Sequence, residues 1–216
     1  MLIHPWDAAT EDEALDFVRA NEFGHLIASG RGRDVPVVVP TQFLLADDRT
    51  VLLHLARPNP IWAAIGENPA VVLSVAGDWA YIPGAWKALP GGSEDPRMGV
   101  PTTYYAAVQL VCHAEVLSGV TDKTEILRAQ LARLEADGGL EDPSAHERRL
   151  SGILGLRLTV REISGKLKYG GNADEPHRRH VADRLAERGG PGDAAARARV
   201  LRGLEGRTPP SRPGSA

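Results

Sequence analysis

Short stretches of this chain carry side chains that can do chemistry at spacings that bring them together. In "HLARPNPIW", residues 54 to 62, His54 ends an apolar run, Arg57 follows three residues later, and Asn59-Pro60 opens a helix just before Trp62. A neutral histidine at the end of a buried strand can ligate a metal. An arginine beside a helix start can grip a phosphate or carboxylate, because the first turn leaves N–H groups free and its dipole favours an anion. On a regular strand His54 and Arg57 face opposite sides, and a bend at Arg57-Pro58 can relax that. A packed histidine beside a surface arginine accounts for the same residues.

Two further stretches add flat and charged groups. "WAYIPGAW", residues 79 to 86, is strongly aromatic in a chain where Phe, Trp and Tyr make up 5%, and "TTYYAA" adds Tyr104 and Tyr105. Aromatic walls bury large areas and stack on flat conjugated molecules; an ordinary core or a subunit interface uses them equally well. In "GKLKYGGN", Lys166 and Lys168 stand at alternate strand positions and share a face. Their mutual repulsion is relieved by an anion between them. Lysines that protect an edge strand have the same spacing. Gly170 and Gly171 admit positive φ or the close approach of a ligand.

The hydrophobic pattern sets out the elements that must position these groups. "TEDEALDFVRAN" is the first helix: Thr10 and Glu13 have capping-box spacing, and Ala14, Phe17 and Val18 share a face. "GHLIASG", "DVPVVVPTQFLL" and "TVLLHLA" read as successive antiparallel strands. Asn59 caps a short helix whose first position is Pro60. "AVVLSVAG" is a buried strand, "WAYIP" one more, "KALPGGSEDPRMGVP" a long surface loop and "YAAVQLVCHAEVLS" a long strand. In "DKTEILRAQLARLEADGG", Asp122 and Glu125 have a capping spacing, Leu127, Leu131 and Leu134 make one face, and Gly138 stops the helix. "GLRLTVREISGKLKY" is a half-buried strand, since Leu156, Leu158 and Val160 alternate with polar residues. "EPHRRHVADRLAERG" closes a domain of residues 1–188. The Ala-, Arg-, Gly- and Pro-rich tail, residues 189–216, is expected to be helical over "DAAARARVLRGLEG" and disordered over "RTPPSRPGSA". Many strands with few helices predict a mainly β fold with flanking helices (α+β), a closed or partly closed antiparallel barrel.

Composition bounds the function classes. The 216 residues, 43% hydrophobic and 25% charged, suffice for a domain with a real core. A net charge of −3 offers no basic excess to a phosphate backbone, so nucleic acid is not an expected partner. The single cysteine, Cys112, excludes an internal disulfide and, with no signal peptide in view, points to a reducing cytoplasm. No apolar run approaches the roughly 18 residues of a membrane span, so no membrane partner is expected. Cys112 lies among apolar residues and reads as packed. His177 and His180 stand one helical turn apart, without cysteine or acidic partners at metal-site spacing.

Taken in order, "HLARPNPIW", "WAYIPGAW", "VPTTYYAAV" and "GILGLRLTVREISGKLKYGGN" resemble the PaiB-like proteins, FMN-binding negative transcriptional regulators, over roughly residues 1 to 188. The resemblance implies an FMN-binding split β-barrel, a homodimer, and cofactor sites at the subunit interface. It is incomplete at three places. PaiB-like regulators typically read "SPSWY" where this chain has "PGAWK", "VPTWNY" where it has "VPTTYY", and "KLSQN" where it has "KYGGN". A hydroxyl, then a tryptophan and an amide, are lost, and Gly-Gly for Ser-Gln is expected to open space. His54, Arg57, Asn59, Trp62, Lys166 and Lys168 remain.

The pattern is similar to one branch with this history, the haem-dependent piperazate synthases. That likeness implies an enzyme that binds haem b and closes N5-hydroxy-L-ornithine to L-piperazic acid, forming an N–N bond with loss of water. It implies His54 as the iron ligand, and Arg57, Asn59 and the two lysines as holders of the propionates or the substrate carboxylate. Trp62, Trp79, Trp86 and the tyrosines would wall the macrocycle. Lys166, Lys168, Tyr104 and Tyr105 are the candidates to take the amine proton. With FMN as cofactor in a PaiB-type regulator or flavoprotein, the same basic groups would hold the ribityl phosphate.

Overall fold

The computed structural model describes residues 1–87, 99–135, 143 and 147–205. Seven strands form its sheet: β1 (Phe23–Ala28), β2 (Val37–Gln42), β3 (Leu44–Asp47), β4 (Thr50–Ala56), β5 (Ala70–Ile82), β6 (Thr102–Leu117) and β7 (Ile153–Lys168). Their order is β2-β1-β5-β6-β7-β4-β3. The chain divides into two compact units. A barrel unit comprises Thr10–Ala76 and Val108–Ser164, and a terminal unit comprises Met1–Ala9, Gly77–Ala107 and Gly165–Ala216. β5, β6 and β7 are long enough to supply residues to both. The architecture is the mainly β fold with flanking helices that the alternation predicts.

In the barrel unit β1 pairs antiparallel with β2 and β5, and β4 with β3 and β7. Period-2 alternation sends Leu26, Val51, Leu53, Leu73, Leu156 and Leu158 inward, all fully buried. Each such side chain contributes about 1.5–3 kcal/mol. Helix α1 (Glu11–Ala20) opens with the expected capping box: Thr10 Oγ1 accepts from Glu13 N–H, and Thr10 N–H donates to Glu13 Oε2. It buries Ala14, Leu15, Phe17 and Val18.

The stretch "DVPVVVPTQFLL" is two strands rather than one. Phe43, 1% exposed, turns into the core and leaves the ladder, and its N–H donates to Glu22 C=O instead. Conversely, "AVVLSVAG" and "WAYIP" are one continuous strand, β5, of 13 residues. Helix α2 (Ile61–Glu67) starts one residue later than expected, with Pro60 at its N-cap. Helix α3 (Val120–Leu134) starts earlier, after Gly119, with Asp122 in its first turn. Its buried side is Lys123, Thr124, Ile126 and Gln130. Leu127 and Leu131 are half-buried and Leu134 is 48% exposed, so the leucine stripe is not the packed face. A short helix, α4 (Glu147–Leu150), precedes β7.

The terminal unit carries a 3-10 turn (Gly84–Lys87) and helices α5 (Glu175–Arg188) and α6 (Asp193–Glu205). Asp174 caps α5 by accepting from His177 N–H, and Gly189 ends it in the left-handed conformation. α6 begins in what reads as a tail, yet α5 ties it at both ends. Arg188 Nε donates to Asp193 Oδ2 over 2.7 Å, and Arg178 donates to the carbonyls of Val200 and Gly203. Most of the loop expected over residues 87–101, Gly138, and the terminal stretch "RTPPSRPGSA" lie outside the described residues. Among the described residues no helix is long and apolar enough to cross a membrane.

Candidate functional site

In the barrel unit, His54 lies on the face of β4 opposite Val51 and Leu53 and is half-buried. Its Nδ1 is 2.7 Å from Gln130 Oε1 on α3. Gly155 stands directly across the ladder from His54. A Cβ at Gly155 would lie 2.7 Å from Ile126 Cδ1, so the missing side chain is what lets α3 lie close on the sheet. Gln130 follows Ile126 by one helical turn on the same face, which carries its amide to the histidine. Gln130 went unread in the sequence. The available signal was Lys123, Ile126 and Gln130 at three- and four-residue spacing, a half-polar stripe beside the leucine one.

Arg57 is exposed. Its Nε donates to Ser151 C=O over 2.8 Å, and its backbone N–H donates to Gly152 C=O, also over 2.8 Å. One edge of the guanidinium is thereby anchored. Asn59 Oδ1 accepts from Ile61 N–H at 3.1 Å. The helix-start donor expected to face an anion is thus partly taken by Asn59 itself, and α2 has only seven residues. The Trp62 indole N–H donates to Ala56 C=O over 2.9 Å, which fixes the ring against the end of β4. A shallow depression of about 160 Å³ touches Phe43, Leu44, Gln130 and Leu134. It encloses essentially no space of its own, whereas small-molecule pockets begin at roughly 300 Å³.

The terminal unit gathers the two lysines. Lys166 is 8% exposed, and its Nζ donates to Leu2 C=O over 2.9 Å. Lys168 Nζ donates to Thr102 Oγ1 over 2.7 Å. The two ammonium groups lie 5.7 and 5.9 Å from the centre of the same ring, Tyr105. Among the described residues neither pairs with a carboxylate. The period-2 reading of "KLK" therefore finds both lysines on one face, and Tyr105 joins them.

Tyr104 points the other way. It is 4% exposed and meets Tyr169 edge-on, with ring centres 6.0 Å apart. Burial pushes its hydroxyl up to about 12. It is a core side chain, poorly placed to take a proton from a substrate. Gly170 has φ of +74°, and a Cβ there would stand 2.3 Å from Tyr104 Oη. A Cβ at Gly171 would stand 2.2 Å from Trp6 C=O. The room expected from Gly-Gly is thus already filled, by a tyrosine hydroxyl and by backbone.

The aromatic wall is also distributed differently. Trp86 lies under the guanidinium groups of Arg184 and Arg188, 5.6 and 4.6 Å from its ring. Trp79 and Tyr81 are 63% and 49% exposed. His177 Nδ1 lies 2.6 Å from Asp174 Oδ1, and no cluster of three or more His, Cys, Asp or Glu suited to a metal occurs among the described residues. Cys112 is 2% exposed, and burial pushes its thiol up to about 12, as expected of a packed cysteine.

Residues 1–162 match the family described as "Putative FMN-binding domain". A curated relative, the protease synthase and sporulation protein PAI 2 of Bacillus subtilis, is 26% identical over 180 residues, covering 81% of this chain and 83% of that protein. The structure of the FAD and haem binding protein of Mycobacterium smegmatis aligns with a TM-score of 0.55 at 19% identity, over 86% of this chain and 80% of the other. A flavocytochrome from Azotobacter vinelandii aligns with a TM-score of 0.55 at 19% identity, over 79% and 73%. At such identities the likeness to solved structures is one of fold.

Proposed function

Because this chain belongs to the FMN-binding domain family, we propose that it binds flavin mononucleotide, as a PaiB-type flavoprotein or regulator, with Lys166 and Lys168 holding the phosphate. One observation carries the assignment: two ammonium groups converge on Tyr105 with only neutral oxygens as described partners. Leu2 C=O and Thr102 Oγ1 orient the cations without neutralising them. An anion placed between them gains charge-assisted hydrogen bonds. Tyr105 supplies a flat apolar surface beside that anion. Bound flavin supplies reversible electron transfer. The exposed Trp79 and Tyr81 support a homodimer as the working form, and the single buried cysteine is in keeping with a reducing cytoplasm.

The test compares FMN with riboflavin, which lacks the phosphate. Fluorescence titration is expected to show FMN binding about 10- to 100-fold tighter, the range that hydrogen bonds to a charged group supply. Lys168→Ala should remove most of that preference and leave riboflavin affinity unchanged. Equal affinity for the two ligands in the wild type would remove the assignment.

A second reading keeps the fold and changes the cofactor to haem b. His54 would be the iron ligand in an enzyme of the piperazate-synthase type, acting on N5-hydroxy-L-ornithine. It is supported by the Gln130 contact, which occupies Nδ1 of His54 and leaves Nε2 for another group. Bound haem iron supplies a Lewis acid for loss of the hydroxylamine oxygen. Tyr104 would not accept the amine proton in such an enzyme, being buried and pushed up to about 12. Purified protein that is yellow and ignores added hemin excludes this reading. A Soret band that is lost in His54→Ala, together with L-piperazic acid formation, supports it.

A further inference from the structure

The segment ahead of Trp6 reaches the terminal unit's basic site through Lys166. Residues 7–9 are fastened to the end of β7. Asp7 C=O accepts from Leu167 N–H over 2.8 Å, Ala8 bridges to Lys166, and Ala9 N–H donates to Gly165 C=O over 3.0 Å. Before them the chain turns back on itself. Asp7 N–H donates to His4 C=O over 2.9 Å, and the His4 and Trp6 rings stack with centres 4.8 Å apart. Leu2 C=O then accepts from Lys166 Nζ over 2.9 Å. The side chains of Met1 and Leu2 are 49% and 73% exposed, so little apolar burial holds this arm down.

We propose that residues 1–5 are a displaceable strap over the basic site: Leu2 C=O occupies Lys166 in the closed form, and an incoming phosphate takes its place and releases the arm. This regulation rests on the reading above in which Lys166 and Lys168 hold a phosphate.

Three observations carry it. Lys166 is 8% exposed, which leaves little room for the oxygens of a phosphate until something moves. Second, two groups stand at its ammonium, the Leu2 carbonyl and the Tyr105 ring. Tyr105 lies on β6, an inner strand between β5 and β7. The arm is the freer of the two, because the firm attachment begins at Trp6, whose C=O packs against Gly171. Pro5 is then the hinge.

The third observation is the acceptor itself. A buried ammonium must be hydrogen-bonded. A carboxylate would satisfy Lys166 and hold anions off. A carbonyl oxygen satisfies it without net charge, and a charged phosphate oxygen is the stronger acceptor. Lys168 keeps its bond to Thr102 Oγ1 in either form. The strap lowers the apparent affinity by the fraction of molecules in which it is open. One hydrogen bond to a charged group sets that fraction at roughly a tenth.

The experiment titrates FMN and riboflavin, by fluorescence, into the full chain and two variants. In one, Leu2, Ile3, His4 and Pro5 are all replaced by glycine, which keeps the length and the carbonyls and loosens the arm. In the other, residues 2–5 are deleted. Amide spectra establish that both variants are folded. FMN is expected to bind about 10-fold tighter in the deletion variant, and by a smaller factor in the glycine variant. Riboflavin affinity should be unchanged in both. In the wild type, the amide signals of Leu2 and Ile3 should sharpen and move to the positions of a disordered chain when FMN binds. If FMN stays preferred over riboflavin while the deletion leaves its affinity unchanged or weaker, or while the arm signals stay in place, the strap is overturned and the phosphate assignment stands. If FMN binds no tighter than riboflavin in all three proteins, the phosphate assignment is overturned, and the strap with it.

Discussion

Gly155 and Ile126 occupy complementary space: a methyl group on the glycine would stand 2.7 Å from the isoleucine Cδ1, and 3.3 Å from Leu117 Cβ. Gly155→Ala should therefore cost about 1–3 kcal/mol, the range for over-packing, in denaturant unfolding. Ile126→Val removes the clashing carbon. In that background the same substitution is expected to cost at least about 0.5 kcal/mol less, a coupling typical of residues in contact. Equal costs in both backgrounds would show that Leu117, and not Ile126, sets the limit.

Alkaline pH should weaken the fold through Tyr104 and Cys112. Burial raises both groups to about 12, from ordinary values of 10.0 and 9.0. Between those limits the folded chain keeps protons that the unfolded chain releases, so stability is fully present below the ordinary values and is lost as pH rises through the raised ones. Unfolding midpoints measured from pH 8 to 12 are expected to fall, and Tyr104→Phe should flatten the upper part of the decline. For the same reason a thiol reagent at pH 8 should label Cys112 only as fast as the protein opens.

The Arg188–Asp193 pair should hold α6 in place. Asp193 is 1% exposed, and its bonds to Arg188 hold its carboxyl below the ordinary range. That contribution is present above the ordinary carboxylate value and is lost as pH falls through the lowered one. Asp193→Asn is expected to cost roughly 1–3 kcal/mol near neutrality, as loss of a hydrogen-bonded charge does. The cost should shrink in acid. Limited proteolysis should cut the variant first within α6.

Trp79 and Tyr81, two positions apart on β5, share an exposed face. Sedimentation is expected to show a homodimer at micromolar concentration, and the double variant Trp79→Ser, Tyr81→Ser a monomer. A wild type that sediments as a monomer would remove the dimer proposal.

Where a residue's surroundings are set by its own strand or helix, they were legible in the sequence. Leu156, Leu158 and Val160 alternate and are buried; Thr10 and Glu13 form their capping box; Lys166 and Lys168 share a face. What escaped depends on contacts between distant segments. Gln130 meets His54 from 76 residues away, and no local pattern encodes that. The stripe Leu127, Leu131 and Leu134 is a sound helical signal, but Gly155 and Ile126 select a neighbouring face of α3. Phe43 breaks a strand without a glycine or proline because the core takes its ring. Gly170 and Gly171 read as room for a ligand, since nothing nearby in the chain announces Tyr104 Oη or Trp6 C=O.

The fit of Tyr104 against Gly170 also ties two distant positions into one structural unit. Any side chain at 170 would set its Cβ 2.3 Å from Tyr104 Oη, on a backbone whose φ of +74° already disfavours one. The identity of residue 104 therefore limits what residue 170 can be, and the two positions do not accept substitutions as independent letters.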